Sequence, residues 1–170
     1  MPEPDDEVGE HVRDVYAHFG LAYYMSQVLE HTLVNMITVA QLSRLHTLPA
    51  GVKTQDDLWS RNFALTLGRM VRQLPSDHDD TSVVAAKLSA AVETRNGIAH
   101  RFFRERAEDF LTAPGREAMI ADLEAAREQF SEVETMLTAI LRFHMHKLGV
   151  SAEATEREYA KLEQAAGSDL

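Results

Sequence analysis

The residues from Val8 to Ala40 read VGEHVRDVYAHFGLAYYMSQVLEHTLVNMITVA, and their apolar side chains recur at every third or fourth position. The series alternates in steps of four and three with one polar member: Val8, Val12, Val15, Phe19, Ala22, Ser26, Leu29, Leu33, Met36 and Ala40. This spacing keeps one face of an α-helix apolar over its whole length. The stretch therefore predicts a long first helix that ends near His46, before the turn sequence Leu48-Pro49-Ala50-Gly51.

The same periodicity predicts three further helices along the chain. They cover about residues 56–74, from about residue 81 to before the turn sequence at 112–115, and about 116–148. Gly149 is placed to cap the last of them. Spacing near 3.5 residues on two long helices, with short connections, favours left-handed packing of near-antiparallel neighbours. The predicted fold is an all-α, up-down antiparallel four-helix bundle over residues 1–150, followed by a short extra helix or loose tail at 151–170.

Composition excludes several classes of protein. The 170 residues contain no Cys, which excludes disulfides and thiolate metal sites and favours a reducing compartment. The first ten residues carry five acids and no Lys or Arg, unlike the basic start of a signal peptide. The most apolar run, Leu33–Ala40, is too short to span a bilayer. We therefore expect a cytoplasmic protein that is neither secreted nor inserted in a membrane.

The charge distribution points to one short segment. The formal net charge of -10 argues against a broad polyanion-binding surface. The segment 95–106 nevertheless holds four Arg and His100 against a single acid, Glu105. Basic charge is therefore concentrated in one part of an acidic chain.

Within this segment, Arg95 interrupts an apolar stripe. The third helix shows Val84, Leu88 and Ala91, and the next position at the same spacing is Arg95. A guanidinium there must be paired or must face a partner or ligand, because an unpaired buried charge is costly. His100 follows five residues later, and histidine is the side-chain type best suited to proton transfer near neutrality.

The helical spacing also suggests how these residues are used. Asn96 lies four residues before His100, on the same helix face, where its amide can orient the imidazole. Positions five apart on a regular helix point about 140° away from each other. Arg95 and His100 of one chain therefore do not converge on one atom. Two copies of the helix meeting at a twofold axis would line one cleft with both pairs, which predicts a composite site in a homodimer.

The segment Glu93-Thr-Arg95-Asn96-Gly-Ile-Ala-His100-Arg-Phe-Phe-Arg104 resembles the Arg-x(4–6)-His motif of the HEPN superfamily, in its Arg-Asn-x-x-x-His form. The resemblance covers the helical order and roughly residues 8–148. It implies a dimeric, metal-independent endoribonuclease that needs no cofactor, with Arg95, Asn96 and His100 at the catalytic positions. One departure is Phe102, because HEPN toxins silenced by a nucleotidyltransferase partner carry a Tyr two residues after the His. That mode of control is therefore in doubt here.

The residue types suggest a mechanism for such an enzyme. His100 would take the proton from an RNA 2′-hydroxyl, and a second His100 from the other subunit would protonate the leaving 5′-oxygen. Arg95 would stabilise charge on the non-bridging oxygens. Arg101 and Arg104 are candidate phosphate contacts. The products would be a 2′,3′-cyclic phosphate and a 5′-hydroxyl, and DNA would be spared.

Further hypotheses about role remain open. The family suggests a toxin, stress or phage-defence effector held in check by an antitoxin or another regulatory protein, although no antitoxin-binding element is recognisable. The chain can instead be a catalytically silent HEPN-like bundle that serves as a dimerisation or partner-binding module. A third alternative is an unrelated helical bundle that binds a small molecule between its helices.

The same residues can also have purely structural roles. Arg95 can simply pair with an acid of the first helix, and Glu30 is the suspected partner; Glu30 can also be a third member of the site that orients Arg95. His100 can be an ordinary residue at the bundle edge, and the Arg101–Arg106 cluster can be a solvated surface.

His144 and His146 lie two apart and diverge by about 160° on a helix, so a packed His144 is favoured over a metal ligand.

Overall fold

The computed structural model describes residues 4–45, 47–65, 69 and 80–167, and every regular element in these ranges is helical. In chain order the elements are α1 (Pro4–Leu45), α2 (Gln55–Phe63), α3 (Asp80–His100), α4 (Phe102–Glu105), a 3₁₀ turn (Asp109–Leu111), α5 (Ala113–Lys147) and α6 (Ala152–Gly167). The predicted all-α class is confirmed. Across the described ranges, no helix is long and apolar enough to cross a membrane.

α1 is a single helix of 42 residues, and its predicted apolar stripe faces the core. From Val15 to Ala40 the members of the stripe are at most 2% exposed, except Phe19, which is half-buried. The polar member Ser26 is tolerated because its Oγ donates a hydrogen bond to the Tyr23 carbonyl (2.6 Å). Val8 is 51% exposed, so the stripe is fully covered only from Val15 onward.

α1 packs most extensively against α5. Among the described residues, polar side-chain contacts join them at three levels: His18 Nδ1 to Glu124 Oε1 (3.6 Å), Thr32 Oγ1 to Glu134 Oε1 (3.3 Å) and Ser43 Oγ to His144 Nδ1 (2.8 Å). Residue numbers rise together along both helices, so α1 and α5 run parallel. In an up-down order of four helices the first and the last would be antiparallel. The predicted up-down order is therefore wrong for this pair.

The direction of α5 agrees with the number of long helices that lie between α1 and α5 in the described chain. α3 runs antiparallel to α5, because Lys87 contacts Glu132 (2.7 Å) while Arg106, just beyond α3, contacts Asp122. In the described chain, α3 is the only long helix between α1 and α5. The described part of the chain thus crosses once between them, which agrees with the parallel direction of α1 and α5. The prediction had counted residues 56–74 as another long helix.

α2 begins as predicted and ends earlier. Thr54 Oγ1 accepts from the Asp57 N–H, and the Asp57 carboxylate accepts from the Thr54 N–H (both 3.0 Å), which is a complete capping box. The helix ends at Phe63 rather than near Leu74. Ala64 and Leu65 follow it as a turn, and of the predicted residues 66–74 only Arg69 is among those described.

Burial on α2 follows the apolar pattern only in part. Leu58 is 1% exposed, but Phe63 is 40% exposed, whereas the polar residue Asn62 is only 2% exposed. The Asn62 amide donates to Thr38 Oγ1 (3.0 Å) and Gln41 Oε1 (3.2 Å). α2 is therefore held against the last turns of α1 by a buried polar contact, which apolar periodicity does not reveal.

The later helix ends carry clear local signals. Thr112 caps α5 by accepting a hydrogen bond from the Gly115 N–H (3.1 Å). Gly115 is required there, because an added Cβ would collide with the Asp109 backbone. Gly149 has φ 77° after α5, which confirms its predicted capping position.

The C-terminal segment forms α6, and none of its described side chains is buried. The division at residue 150 stays a prediction.

Candidate functional site

Arg95 lies on α3 beside α1. Its Nη2 is 3.5 Å from Glu30 Oε2, and the two side chains are 22% and 16% exposed. The expected pairing of Arg95 with Glu30 is confirmed. The same guanidinium donates through Nη1 to Asn96 Oδ1 (3.3 Å), while its Nε is buried and has no hydrogen-bond partner in the described ranges. Arg95 is thus anchored within its own chain and still reaches the surface.

His100 is the last residue of α3 and is exposed. No described residue makes a hydrogen bond or an ion pair with its ring. The helix stays regular through Gly97, whose carbonyl accepts from the Arg101 N–H (2.9 Å). Arg95 and His100 of one chain therefore diverge around the helix, as their spacing predicts.

Asn96 makes a different contact from the one expected. Its Oδ1 accepts the hydrogen bond from Arg95, and no hydrogen bond joins it to His100 within the described residues. In the single chain Asn96 therefore steadies the guanidinium rather than the imidazole. Its assignment to the catalytic site stays a prediction.

The arginines after His100 are exposed and partly neutralised. Arg101 Nε lies 3.2 Å from Glu105 Oε1, and Arg104 Nη2 lies 3.9 Å from the same oxygen. The Arg104 side chain is 74% exposed and its contact with Glu105 is long. Exposed pairs of this kind contribute little to stability and are easily exchanged for another anion. Both side chains are therefore available to a phosphate, as their predicted role requires.

An aromatic cluster next to these arginines was not identified from the sequence. Phe103 is its centre, with ring centroids 4.9 Å from Phe19 and 5.4 Å from Tyr16. The other members are Tyr23, Phe102 and Phe110. Tyr16, Phe19 and Tyr23 are spaced i, i+3, i+7, so the sequence does place these three rings on one face of a helix.

The same face of α1 also carries an unpaired polar group. Gln27 lies four residues after Tyr23 and three before Glu30, and its Nε2 is buried without a hydrogen-bond partner among the residues that the structure describes. An unsatisfied buried N–H costs about 1–3 kcal/mol. Three such donors occur among the described residues: Gln27 Nε2 on the face of α1 that carries Glu30, Arg95 Nε in the guanidinium that contacts Glu30, and Arg116 Nε in the first turn of α5. Each is a buried polar group whose presence calls for an explanation.

His144 is a packed residue of the α1–α5 interface. It is 8% exposed, and its Nδ1 is hydrogen-bonded with Ser43 Oγ (2.8 Å). Burial lowers the pKa of His144 from its ordinary value, and the nearby charges of Lys147 and Arg44 lower it further. The expectation of a packed His144 is confirmed. The described residues form no group of three or more His, Asp or Glu that could hold a metal ion.

A cleft of about 590 Å³ opens between the end of α1 and α2. Polar and apolar residues line it in equal number: Gln41, Leu45, Pro49, Leu58, Arg61, Asn62, Leu65 and Arg69. A dry cavity between helices was the feature expected of a small-molecule binder. This cleft is half polar in its lining and does not match that expectation.

Comparison of the chain with protein-family models, with characterised proteins and with solved structures gives no match. The geometry of the described residues and the resemblance of the 93–104 segment to the HEPN motif are therefore the evidence for function.

Proposed function

We propose that this chain is a metal-independent endoribonuclease of HEPN type that acts as a homodimer in the cytoplasm. The main support is His100, which is exposed at the end of α3, beside exposed arginines and without a partner in the described chain. In the proposed fold, α1, α2, α3 and α5 form the four-helix bundle, with a short second helix and without a simple up-down order.

The dimer is part of the proposal because one chain supplies an incomplete site. Arg95 and His100 point about 140° apart on a regular helix. A twofold axis passing close to the end of α3 would bring two Arg95 and two His100 side chains to one groove. The exposure of His100 and the 22% exposure of Arg95 are compatible with this arrangement.

In the proposed reaction His100 removes the proton from an RNA 2′-hydroxyl, and the freed oxygen attacks the adjacent phosphorus. The bond from phosphorus to the 5′-oxygen breaks, and the His100 of the second subunit donates a proton to that oxygen. Arg95 stabilises the charge that builds on the non-bridging oxygens. Arg101 and Arg104 contact neighbouring phosphates. The products are a 2′,3′-cyclic phosphate and a 5′-hydroxyl.

Glu30 and Asn96 act through Arg95 in this scheme. Glu30 holds one edge of the guanidinium at 3.5 Å, and Asn96 accepts from another at 3.3 Å. Both contacts restrict the rotamers of a long side chain, which lowers the entropy lost when Arg95 engages a phosphate. They are positioning residues in the proposed site.

The test is incubation of the purified protein with RNA and with DNA of the same sequence, in the presence of a chelator. We expect RNA to be cut and DNA to be spared, with activity abolished in His100→Ala and in Arg95→Ala. His146→Ala and Arg142→Ala are matched controls at exposed positions of α5 and should keep full activity. Cleavage of DNA, or full activity of His100→Ala, would overturn the proposal.

One observation favours a second candidate, a catalytically silent HEPN-like module for dimerisation or partner binding. Arg95 is already engaged by Glu30 and Asn96 inside one chain, as a structural residue would be. A dimer in sedimentation experiments that leaves RNA intact would favour this candidate.

For the active enzyme we propose a role as a toxin, stress or phage-defence effector, restrained by an antitoxin or another regulatory protein. Expression should then arrest growth, and His100→Ala should relieve the arrest. Arrest that persists with His100→Ala would contradict this role.

A further inference from the structure

The face of α1 that contacts Arg95 continues as an aromatic surface. Tyr16, Phe19, Tyr23, Gln27 and Glu30 are spaced i, i+3, i+7, i+11 and i+14, which places them on one stripe of the helix. Contacts at both ends show what the stripe faces. Glu30 meets Arg95 of α3, and Tyr16 meets the Phe103 ring of α4 at 5.4 Å. The stripe therefore follows the chain segment that contains His100.

Two members of this stripe are too exposed to be explained by packing alone. Tyr16 is 54% exposed and Tyr23 is 39% exposed. Tyr16 is nevertheless held in place, because its ring contacts Phe103 (5.4 Å) and Phe110 (5.7 Å). Tyr23 is stacked on Phe19, with an interplanar angle of 5°. An exposed ring with a fixed orientation loses little entropy when a second flat group stacks on it.

The charges beside these rings select the ligand. Arg101 and Arg104 are exposed on the segment that carries Phe103, in a chain whose net charge is -10. Fixed aromatic rings next to arginines are the combination that binds single-stranded nucleic acid, with bases stacked on the rings and phosphates held by the cations. Paired bases in a duplex do not offer their faces for such stacking.

We propose that Tyr16 and Tyr23 form a base-stacking subsite for the unpaired bases of an RNA strand that leads away from His100. This inference deepens the proposed function and rests on it for the identity of the ligand. The two rings lie seven residues apart, which is about 10 Å along the helix. Each ring can therefore stack one base of a strand that passes His100. The subsite thus requires unpaired nucleotides beside the cleaved bond.

Binding of a strand that cannot be cut tests the subsite separately from catalysis. The probe is a labelled 2′-O-methyl RNA of about ten nucleotides, because its blocked 2′-oxygen cannot attack phosphorus. Fluorescence anisotropy then gives the Kd of the full-length protein and of its variants. We expect Tyr16→Leu and Tyr23→Leu each to raise Kd by about five- to a hundredfold, the range for loss of one stacked base. Tyr16→Phe keeps the ring and should bind like the unmodified protein.

Tyr24 provides the matched control. It is the neighbour of Tyr23 on the same helix and is 61% exposed, but no described aromatic ring stacks against it. Tyr24→Leu should leave Kd within about twofold. A blunt duplex of the same sequence should bind more weakly, with no difference between Tyr16→Leu and the unmodified protein.

The outcomes separate this inference from the proposed function. Equal effects of Tyr16→Leu and Tyr24→Leu, or no binding of the probe, would overturn the subsite, whether or not RNA is cleaved. Loss of affinity in Tyr16→Leu with no cleavage by the unmodified protein would uphold the subsite and reject the nuclease. If Tyr16→Leu instead changes the sedimentation coefficient and leaves Kd unchanged, the surface serves self-association and the subsite is wrong.

Discussion

Breaking the Glu30–Arg95 contact should cost measurable stability, because the pair is mostly shielded from solvent. At 3.5 Å and an effective dielectric constant of about 20, the direct attraction is about 5 kcal/mol. Desolvation of side chains that are 16% and 22% exposed offsets most of this gain. A net coupling of about 1–2 kcal/mol remains, which exceeds the 0–1 kcal/mol typical of surface pairs.

A double-mutant cycle measures this coupling directly. Urea unfolding of the unmodified protein, Glu30→Gln, Arg95→Gln and the double variant gives four free energies of unfolding. We expect the two single changes to cost more together than the double change, by about 1–2 kcal/mol. The exposed pair Lys161–Glu158 on α6 is the control, and its coupling should be below about 0.5 kcal/mol.

A coupling for Glu30–Arg95 that equals the control value would refute this reasoning. Arg95 would then be held by something other than Glu30, and the positioning role of Glu30 would fall with it. The same variants test function, because Glu30→Gln should lower kcat for RNA cleavage more than it changes KM. A Glu30→Gln enzyme with unchanged kcat would likewise remove Glu30 from the site.

Three further predictions concern the scaffold. Gly115→Ala should destabilise the protein by about 1–3 kcal/mol in urea unfolding, because the added Cβ collides with the Asp109 backbone. Leu33→Ala, at a position that is 0% exposed, should cost about 2–5 kcal/mol in the same assay. His144 has a folded-state pKa below its ordinary value of about 6.5, so its neutral form stabilises the fold fully above that pH. This stability should be lost as pH falls from about 6.5 through the lowered folded-state pKa, and His144→Gln should reduce the loss measured by urea unfolding between pH 7.5 and 5.5.

Each of the three scaffold predictions can be contradicted by a stability measurement. Gly97→Ala is the control for Gly115→Ala, because a Cβ there meets only the end of the Arg101 side chain at 3.6 Å. Equal stability of the two alanine variants would show that the Asp109 contact is wrong. A cost below about 1 kcal/mol for Leu33→Ala would contradict its full burial. An unchanged acid dependence in His144→Gln would mean that another group titrates.

The parts of the fold that depend on long apolar stripes could be predicted. The spacing from Val15 to Ala40 fixes the buried face of α1, and the turn residues around Thr112 and Gly149 fix the ends of α5. Helix direction could not be predicted, because the up-down order depended on a long second helix. Asn62 is buried on α2 together with Leu58, and a buried amide leaves no trace in an apolar pattern.

The candidate site, like the fold, could be predicted only in part. An Arg on an apolar stripe must find a partner, and this reasoning identified Glu30. The Asn96 contact was not predicted, because helical spacing shows which residues share a face and not which of two neighbours an amide will choose. The aromatic cluster joins α1 to the segment after α3, so it depends on tertiary packing that no local spacing reveals.

The most direct test of the account uses a DNA strand that contains a single ribonucleotide. Incubated with the protein in chelator, this strand should be cut only on the 3′ side of that ribonucleotide, and mass spectrometry should find a 2′,3′-cyclic phosphate on the upstream product. The His100→Ala protein should leave the strand intact. Cleavage elsewhere in the strand, a linear phosphate formed from the outset, or an uncut strand under conditions where the protein is folded and dimeric would contradict the claim that His100 activates a 2′-hydroxyl.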